Sequence, residues 1–129
     1  MKPFALALLL TTAACGAAAS RDSADPKVTR AQAAADAAAA TYSACVDRAV
    51  AAVDVHADQP ATLADRALKA CAADRGIAVA RVQAAELARG GDPMITAEVA
   101  ERSLRVADGE LRERANAALV ARKYAAKGG

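Results

Sequence analysis

Aromatic residues are almost absent from this chain of 129 residues, which holds one Phe, two Tyr and no Trp. Valine, isoleucine and the aromatics, the residues that favour strands, are too sparse to build a sheet core. Alanine instead makes up about a third of the sequence, and it is the strongest helix former. The composition predicts one small all-α domain, whose core is thin because alanine buries little apolar surface.

Residues that commonly carry catalysis are also scarce. The chain has a single histidine, His56, and neither Ser43 nor Ser103 has a histidine nearby in sequence. The segment 90–93 (Gly-Gly-Asp-Pro) lacks the lysine and threonine of a phosphate-binding loop. The glutamates of the last third of the chain have arginines three or four residues away, which is typical of a solvated helix face. We therefore predict no enzyme, no catalytic residue, no metal site and no cofactor.

The N-terminus carries an export pattern. Lys2 precedes an apolar run over residues 4–10, and mostly small residues follow as far as Ala19. This order is typical of a secretory signal peptide. The alternative, a retained membrane anchor, is disfavoured because the uncharged run over 4–20 is just shorter than the roughly 18 apolar residues that a span needs.

Thr12-Ala13-Ala14-Cys15 resembles the lipobox of bacterial lipoproteins, although Thr12 stands where that class usually has an aliphatic residue. The resemblance covers the export signal only, and no functional family is recognised. It implies a signal peptide over 1–14, a lipid on Cys15 and attachment to a membrane through that lipid. In that class an aspartate after the cysteine marks the inner membrane, so Gly16 favours the outer membrane.

Ordinary cleavage after Ala19 also fits, because residues 17–19 satisfy the small-x-small rule. Cys15 would then be discarded, and the protein would be free in the periplasm. Under the lipoprotein interpretation residues 15–26 form a flexible tether, because they lack an apolar period. The helical domain then covers 27–129.

Three prolines divide that domain at nearly equal intervals. Pro26, Pro60 and Pro93 are each tolerated only in the first turn of a helix, and the first and third follow an aspartate, a preferred N-cap. We predict long helices over roughly 27–56, 61–89 and 94–126, packed as an up-down-up bundle. Breaks at Gly76 and Gly109 are the alternative to continuous second and third helices.

Apolar residues repeat every three or four positions along each predicted helix, which places them on one face. The stripe of the first helix comprises Ala38, Tyr42, Cys45, Ala49 and Val53. That of the second comprises Leu63, Ala67, Cys71, Ala78, Val82 and Ala85. That of the third comprises Ala97, Ala100, Leu104, Ala107, Leu111, Ala115 and Ala118.

Cys45 and Cys71 lie at equal distances from Asp58, in the turn between the first two helices. An antiparallel hairpin brings them to one height, and pairing is expected in an oxidising compartment. We predict a structural disulfide that staples the hairpin, because redox pairs usually stand as Cys-x-x-Cys. Three cysteines are an odd number for an exported protein, and this pairing leaves Cys15 for the lipid.

The C-terminal stretch is basic, with Arg112, Arg114, Arg122, Lys123 and Lys127. We interpret it as a charged helix end and not as a nucleic-acid site, because it lacks interleaved aromatics. The sequence thus predicts an envelope protein that binds an unknown partner without catalysis. The alternatives are a soluble periplasmic protein that binds a partner through the stripe of the third helix and, as a third reading, a redox protein or enzyme.

Overall fold

A computed structural model describes residues 25–127, and these residues form a bundle of four helices without strands. The helices are α1 (Pro26–Ala52), α2 (Pro60–Ala70), α3 (Ala72–Ala88) and α4 (Pro93–Ala125). Helices α2 and α3 follow each other in the same direction and together form the middle, descending segment of the bundle, one of its three arms. The result is the predicted all-α, up-down-up bundle with a disulfide-stapled hairpin.

Each of the three arms starts at a proline. Asp25 caps α1 by accepting the Lys27 N–H at 2.8 Å, and Asp92 caps α4 by accepting the Met94 N–H at 2.9 Å. The α2 N-cap, Gln59, makes no side-chain capping bond. Proline fits the first helical position because its missing N–H has no partner there in any case.

The first helix ends at Ala52, four residues before the predicted end. Val53 leaves the helix in an extended conformation, and Val55 turns into the core, where it is 8% exposed. The Asp54 carboxylate accepts the His56 N–H at 2.9 Å and shapes the turn. His56 therefore lies exposed in a loop and not at a helix end, because burying Val55 requires the chain to leave the helix.

The second predicted helix is interrupted at one residue, Cys71, and not at Gly76. Cys71 has φ −99° and ψ 19°, and its N–H bonds to Leu68 O at 3.1 Å, three residues back. A break in the i to i−4 ladder bends a helix at that point. The continuous helix over 61–89 was wrong, and the departure falls at the residue that is bonded to the first helix.

A glycine pair makes the turn between α3 and α4. Gly90 has φ 89°, and its N–H bonds to Leu87 O at 3.0 Å. The N–H of Gly91 bonds to Glu86 O at 3.0 Å, which completes a Schellman motif. A Cβ on Gly91 would lie 2.5 Å from Thr96 Cγ2, so the start of α4 packs directly on this turn.

The core runs along the inner faces of the helices. Its largest fully buried side chains are those of Tyr42, Val46, Leu63, Cys71 and Leu119. The stripe of the third arm is mostly inside, with Leu104 3% and Leu111 6% exposed. It is therefore not free to bind a partner, as the soluble alternative required.

The two mid-helix glycines, Gly76 and Gly109, do not mark a close crossing of α3 and α4. A Cβ at either position would meet nothing within 4 Å outside its own stretch of helix. Both residues are exposed, and both helices continue through them.

Candidate functional site

The disulfide joins the middle of α1 to the junction of α2 and α3. Cys45 and Cys71 are bonded, and their Cα atoms lie 6.0 Å apart, within the usual range. Cys71 is 2% exposed, whereas Cys45 is half-buried. Burial shields the Cys71 sulfur from an external thiol. This favours a structural staple, although Cys71 lies at the junction of α2 and α3 and not within one continuous helix over 61–89.

One helical turn from the disulfide, a polar cluster links three helices. Tyr42 of α1 donates its hydroxyl to Asp108 Oδ1 of α4 at 2.8 Å. Arg75 of α3 donates through Nε to Asp108 Oδ2 at 2.8 Å, and its two terminal nitrogens reach Glu101 Oε2 at 3.2 Å. Each half of the Asp108 carboxylate thus accepts from a different helix.

Burial has the largest influence on the pKa of the Tyr42 hydroxyl, since the residue is 1% exposed. Together with the hydrogen bond to Asp108 and the charge of that carboxylate, it raises the pKa of Tyr42 to about 12, against the opposing charge of Arg75. The hydrogen bond to Asp108 in turn raises the pKa of Arg75. Tyr42 is therefore neutral and Arg75 charged at any physiological pH.

The hydrogen bonds of this cluster join α1, α3 and α4. The cluster borders an open depression of about 270 Å³ that Leu68, Lys69 and Arg112 also line. The Tyr42 proton is committed to Asp108, and Asp108 is committed to Arg75. No buried side-chain nitrogen or oxygen between residues 25 and 127 lacks a hydrogen-bond partner. A general base needs a pKa near the operating pH, whereas the pKa of Tyr42, at about 12, lies far above it.

The basic residues near the C-terminus bind other parts of the chain. Arg112 pairs with Asp65 at 2.6 Å, and Arg114 pairs with Asp47 at 2.9 Å. Arg122 donates to Val50 O at 2.6 Å and to Val53 O at 3.1 Å, and thereby caps the last carbonyls of α1. Lys123 donates to Asp58 O at 3.1 Å. The charges that resemble a basic patch in the sequence mostly serve as links between helices.

Carboxylates offer no metal centre in the part of the chain that the structure describes. Glu98 pairs with Arg102 at 2.6 Å, within one helix, and Glu101 pairs with Arg75. Over 25–127 no group of three or more His, Cys, Asp or Glu side chains is placed to hold a metal ion.

The exposed apolar residues form a different set from the stripes. Among residues 25–127, four of the seven large ones lie toward one end of the bundle, where Met94 is 86% and Ile95 63% exposed in the first turn of α4, and the other three, Ile77, Val106 and Tyr124, lie elsewhere. Leu87 and Val99 lie close by in sequence, at 40% and 37%. Sequence reasoning missed this set, although Met94 and Ile95 directly follow Pro93 and fall outside the stripe.

The chain matches no protein-family model, no curated protein and no solved structure. Among residues 25–127, no helix is long and apolar enough to cross a membrane. Cys15, the predicted lipid site, and the signal sequence lie outside the described residues.

Proposed function

We propose that this is an exported protein that a lipid on Cys15 anchors to a membrane, where it serves as a non-enzymatic binding or structural module of the cell envelope. The observation that carries the proposal is the pairing of Cys45 with Cys71. It uses two of three cysteines and leaves the third in a lipobox-like sequence. A closed disulfide is also typical of proteins that fold in an oxidising compartment.

The arrangement of charges supports a structural or binding role over an enzymatic one. In the most buried polar cluster, Tyr42, Asp108 and Arg75 satisfy one another. The arginines of α4 are used to hold α1 and α2. These groups have fixed partners, so they contribute to cohesion between helices. An outer-membrane location is favoured because Gly16, and not aspartate, follows Cys15.

The second candidate is a soluble periplasmic protein, released by cleavage after Ala19, that binds a protein partner. One observation favours it. Ile95, Val99 and Val106 are 63%, 37% and 61% exposed, and their spacings of four and seven place them on one face of α4. Arg102 lies on the same face, seven residues after Ile95, and pairs with Glu98, so the face combines three exposed apolar residues with one ion pair. A redox protein or enzyme ranks third, because Cys71 is shielded.

The test is the intact mass of the full chain after extraction from its native envelope, before and after reduction and alkylation. We expect a mass that begins at Cys15 and carries acyl chains, with two alkylations that occur only after reduction. A Cys15→Ser variant is the matched control and should carry no acyl chain. A mass that begins at Ser20 without lipid would contradict the anchor and support the soluble candidate.

A further inference from the structure

We infer that the end of the bundle formed by the start of α4 docks on the surface of the bilayer that holds the lipid. This inference rests on the proposed function and specifies how the anchored protein meets its membrane. Its surface, called here the apolar tip, consists of Leu87, Met94, Ile95 and Val99.

The start of α4 and the start of α1 lie at the same end of the bundle. Arg89, at the end of α3, contacts the side chain of Gln32 in the second turn of α1. The turn that leads into α4 therefore lies beside the start of α1. Asp25, the N-cap of α1, stands at the same end, and the chain continues from there toward Cys15. The apolar tip and the exit point of the anchor thus share one end of the bundle.

Few residues separate Cys15 from the start of α1. Ten residues, 16–25, join Cys15 to the start of α1, and a chain of that length spans at most about 35 Å. The far end of α4 is more distant, because the thirty residues between Met94 and Tyr124 extend about 45 Å at 1.5 Å per residue. An anchor on Cys15 therefore keeps the start of α1, and the apolar tip at the same end, within reach of the bilayer, and this tethering raises the effective concentration of the contact.

The exposed side chains at this end of the bundle are both apolar and charged. Met94 and Ile95 are neighbours in the first turn of α4 and are 86% and 63% exposed, a cost in water that burial in a bilayer interface removes. Lys27 and Arg30 are exposed in the first turns of α1 and have no ion pair within residues 25–127, so they can contact lipid phosphates. Asp25 and Asp92 accept backbone N–H groups of their own helices and keep their negative charge, and Glu86 and Glu98 pair with Arg89 and Arg102.

These features favour a bilayer over a protein partner at this end. The tip is small, its protruding aliphatic side chains can enter the headgroup region, and the exposed basic residues Lys27 and Arg30 lie at the same end on α1. The proposed contact is shallow and is made by the first turn of α4.

The experiment uses the acylated full chain in vesicles of phosphatidylethanolamine and phosphatidylglycerol that contain lipids with a nitroxide in the acyl region. An environment-sensitive bimane label is placed at Met94→Cys. Two matched labels serve as controls, at Thr29→Cys, a polar exposed site at the same end, and at Tyr124→Cys, an exposed site at the far end. We expect a blue shift and nitroxide quenching at 94, weaker quenching at 29 and none at 124.

Adding Ile95→Glu to the Met94→Cys chain should reverse the blue shift and reduce the quenching, while circular dichroism stays unchanged because residue 95 is exposed. Equal quenching at 94 and 29 would overturn docking through α4, and equal signals at 94 and 124 would overturn docking altogether. The intact mass of the same sample reports acylation separately. An acylated protein without quenching refutes only this inference, whereas an unacylated protein refutes the proposed function and this inference with it.

Discussion

Reduction of the Cys45–Cys71 bond tests how this thin core is stabilised. The bond closes a loop with a sequence separation of 26 residues. Reduction changes the chemistry of the two cysteines and of no other side chain. Reduction is a cleaner perturbation than substitution, because Cys71 is buried and a smaller side chain there would also leave a cavity.

The chain-entropy model gives the magnitude. A loop of this length lowers the entropy of the unfolded chain by about 12 cal/mol/K, which is about 3.5 kcal/mol at 25 °C. At roughly 0.05–0.15 kcal/mol per residue, a domain of this size has about 5–15 kcal/mol of total stability. The bond thus accounts for between a quarter and two-thirds of the free energy of unfolding, by the same order-of-magnitude estimate.

Urea unfolding followed by circular dichroism at 222 nm measures the effect, with and without a phosphine reductant. For a slope of about 1.5 kcal/mol per molar, we expect the midpoint to fall by about 2 M. The double variant Cys45→Ser, Cys71→Ser is the control, and the reductant should not change its midpoint. If reduction lowers the urea midpoint by less than about 0.5 M, the reasoning is refuted, because the helices then hold together without the bond.

Three further predictions follow from single contacts. Tyr42 ionises near pH 10 in the unfolded chain but only near pH 12 in the folded protein, so the free energy of unfolding should fall by about 2–3 kcal/mol as the pH rises from 10 to 12. Tyr42→Phe should remove this fall, which urea titrations at stepped pH measure. Gly109→Ala should raise the stability by about 1 kcal/mol because the site is open, whereas Gly91→Ala should lower it by about 1–3 kcal/mol because its Cβ meets Thr96, a difference that thermal unfolding measures. Arg122→Met should cost about 1 kcal/mol in urea unfolding by freeing the terminal carbonyls of α1, and no change would contradict the capping role.

Local chemistry made the helix starts predictable. A proline after an aspartate specifies an N-terminus by its own geometry, and Pro26 and Pro93 act accordingly. The cysteine pair was predictable for a related reason, since equal distances from one turn bring two residues to the same height on a hairpin. Even so, α1 ends before Val53 and not at His56. Burying Val55 in the core favours the turn more than helix propensity favours a longer helix.

The polar cluster and the capping of α1 depend on residues far apart in sequence. Tyr42 and Asp108 are separated by 66 positions, and Arg122 reaches carbonyls about 70 positions away. Backbone carbonyls leave no trace in a sequence as acceptors, so Arg122 reads only as part of a basic run. The break at Cys71 also depends on a residue far away in sequence, because it falls at the residue that is bonded to Cys45 and not at Gly76, where helix propensity is low.

The ion pairs and the disulfide that link the helices should contribute different amounts to the free energy of unfolding. The pairs of Arg112 with Asp65 and of Arg114 with Asp47 are more than half exposed, so each contributes about 0–1 kcal/mol. The pair of Arg75 with Asp108 is only about a quarter exposed, but desolvation offsets much of its attraction. The disulfide should therefore exceed any one ionic link. A charge-neutralising Asp65→Asn variant that destabilises the protein more than reduction does would reverse this order and show that the exposed charges dominate.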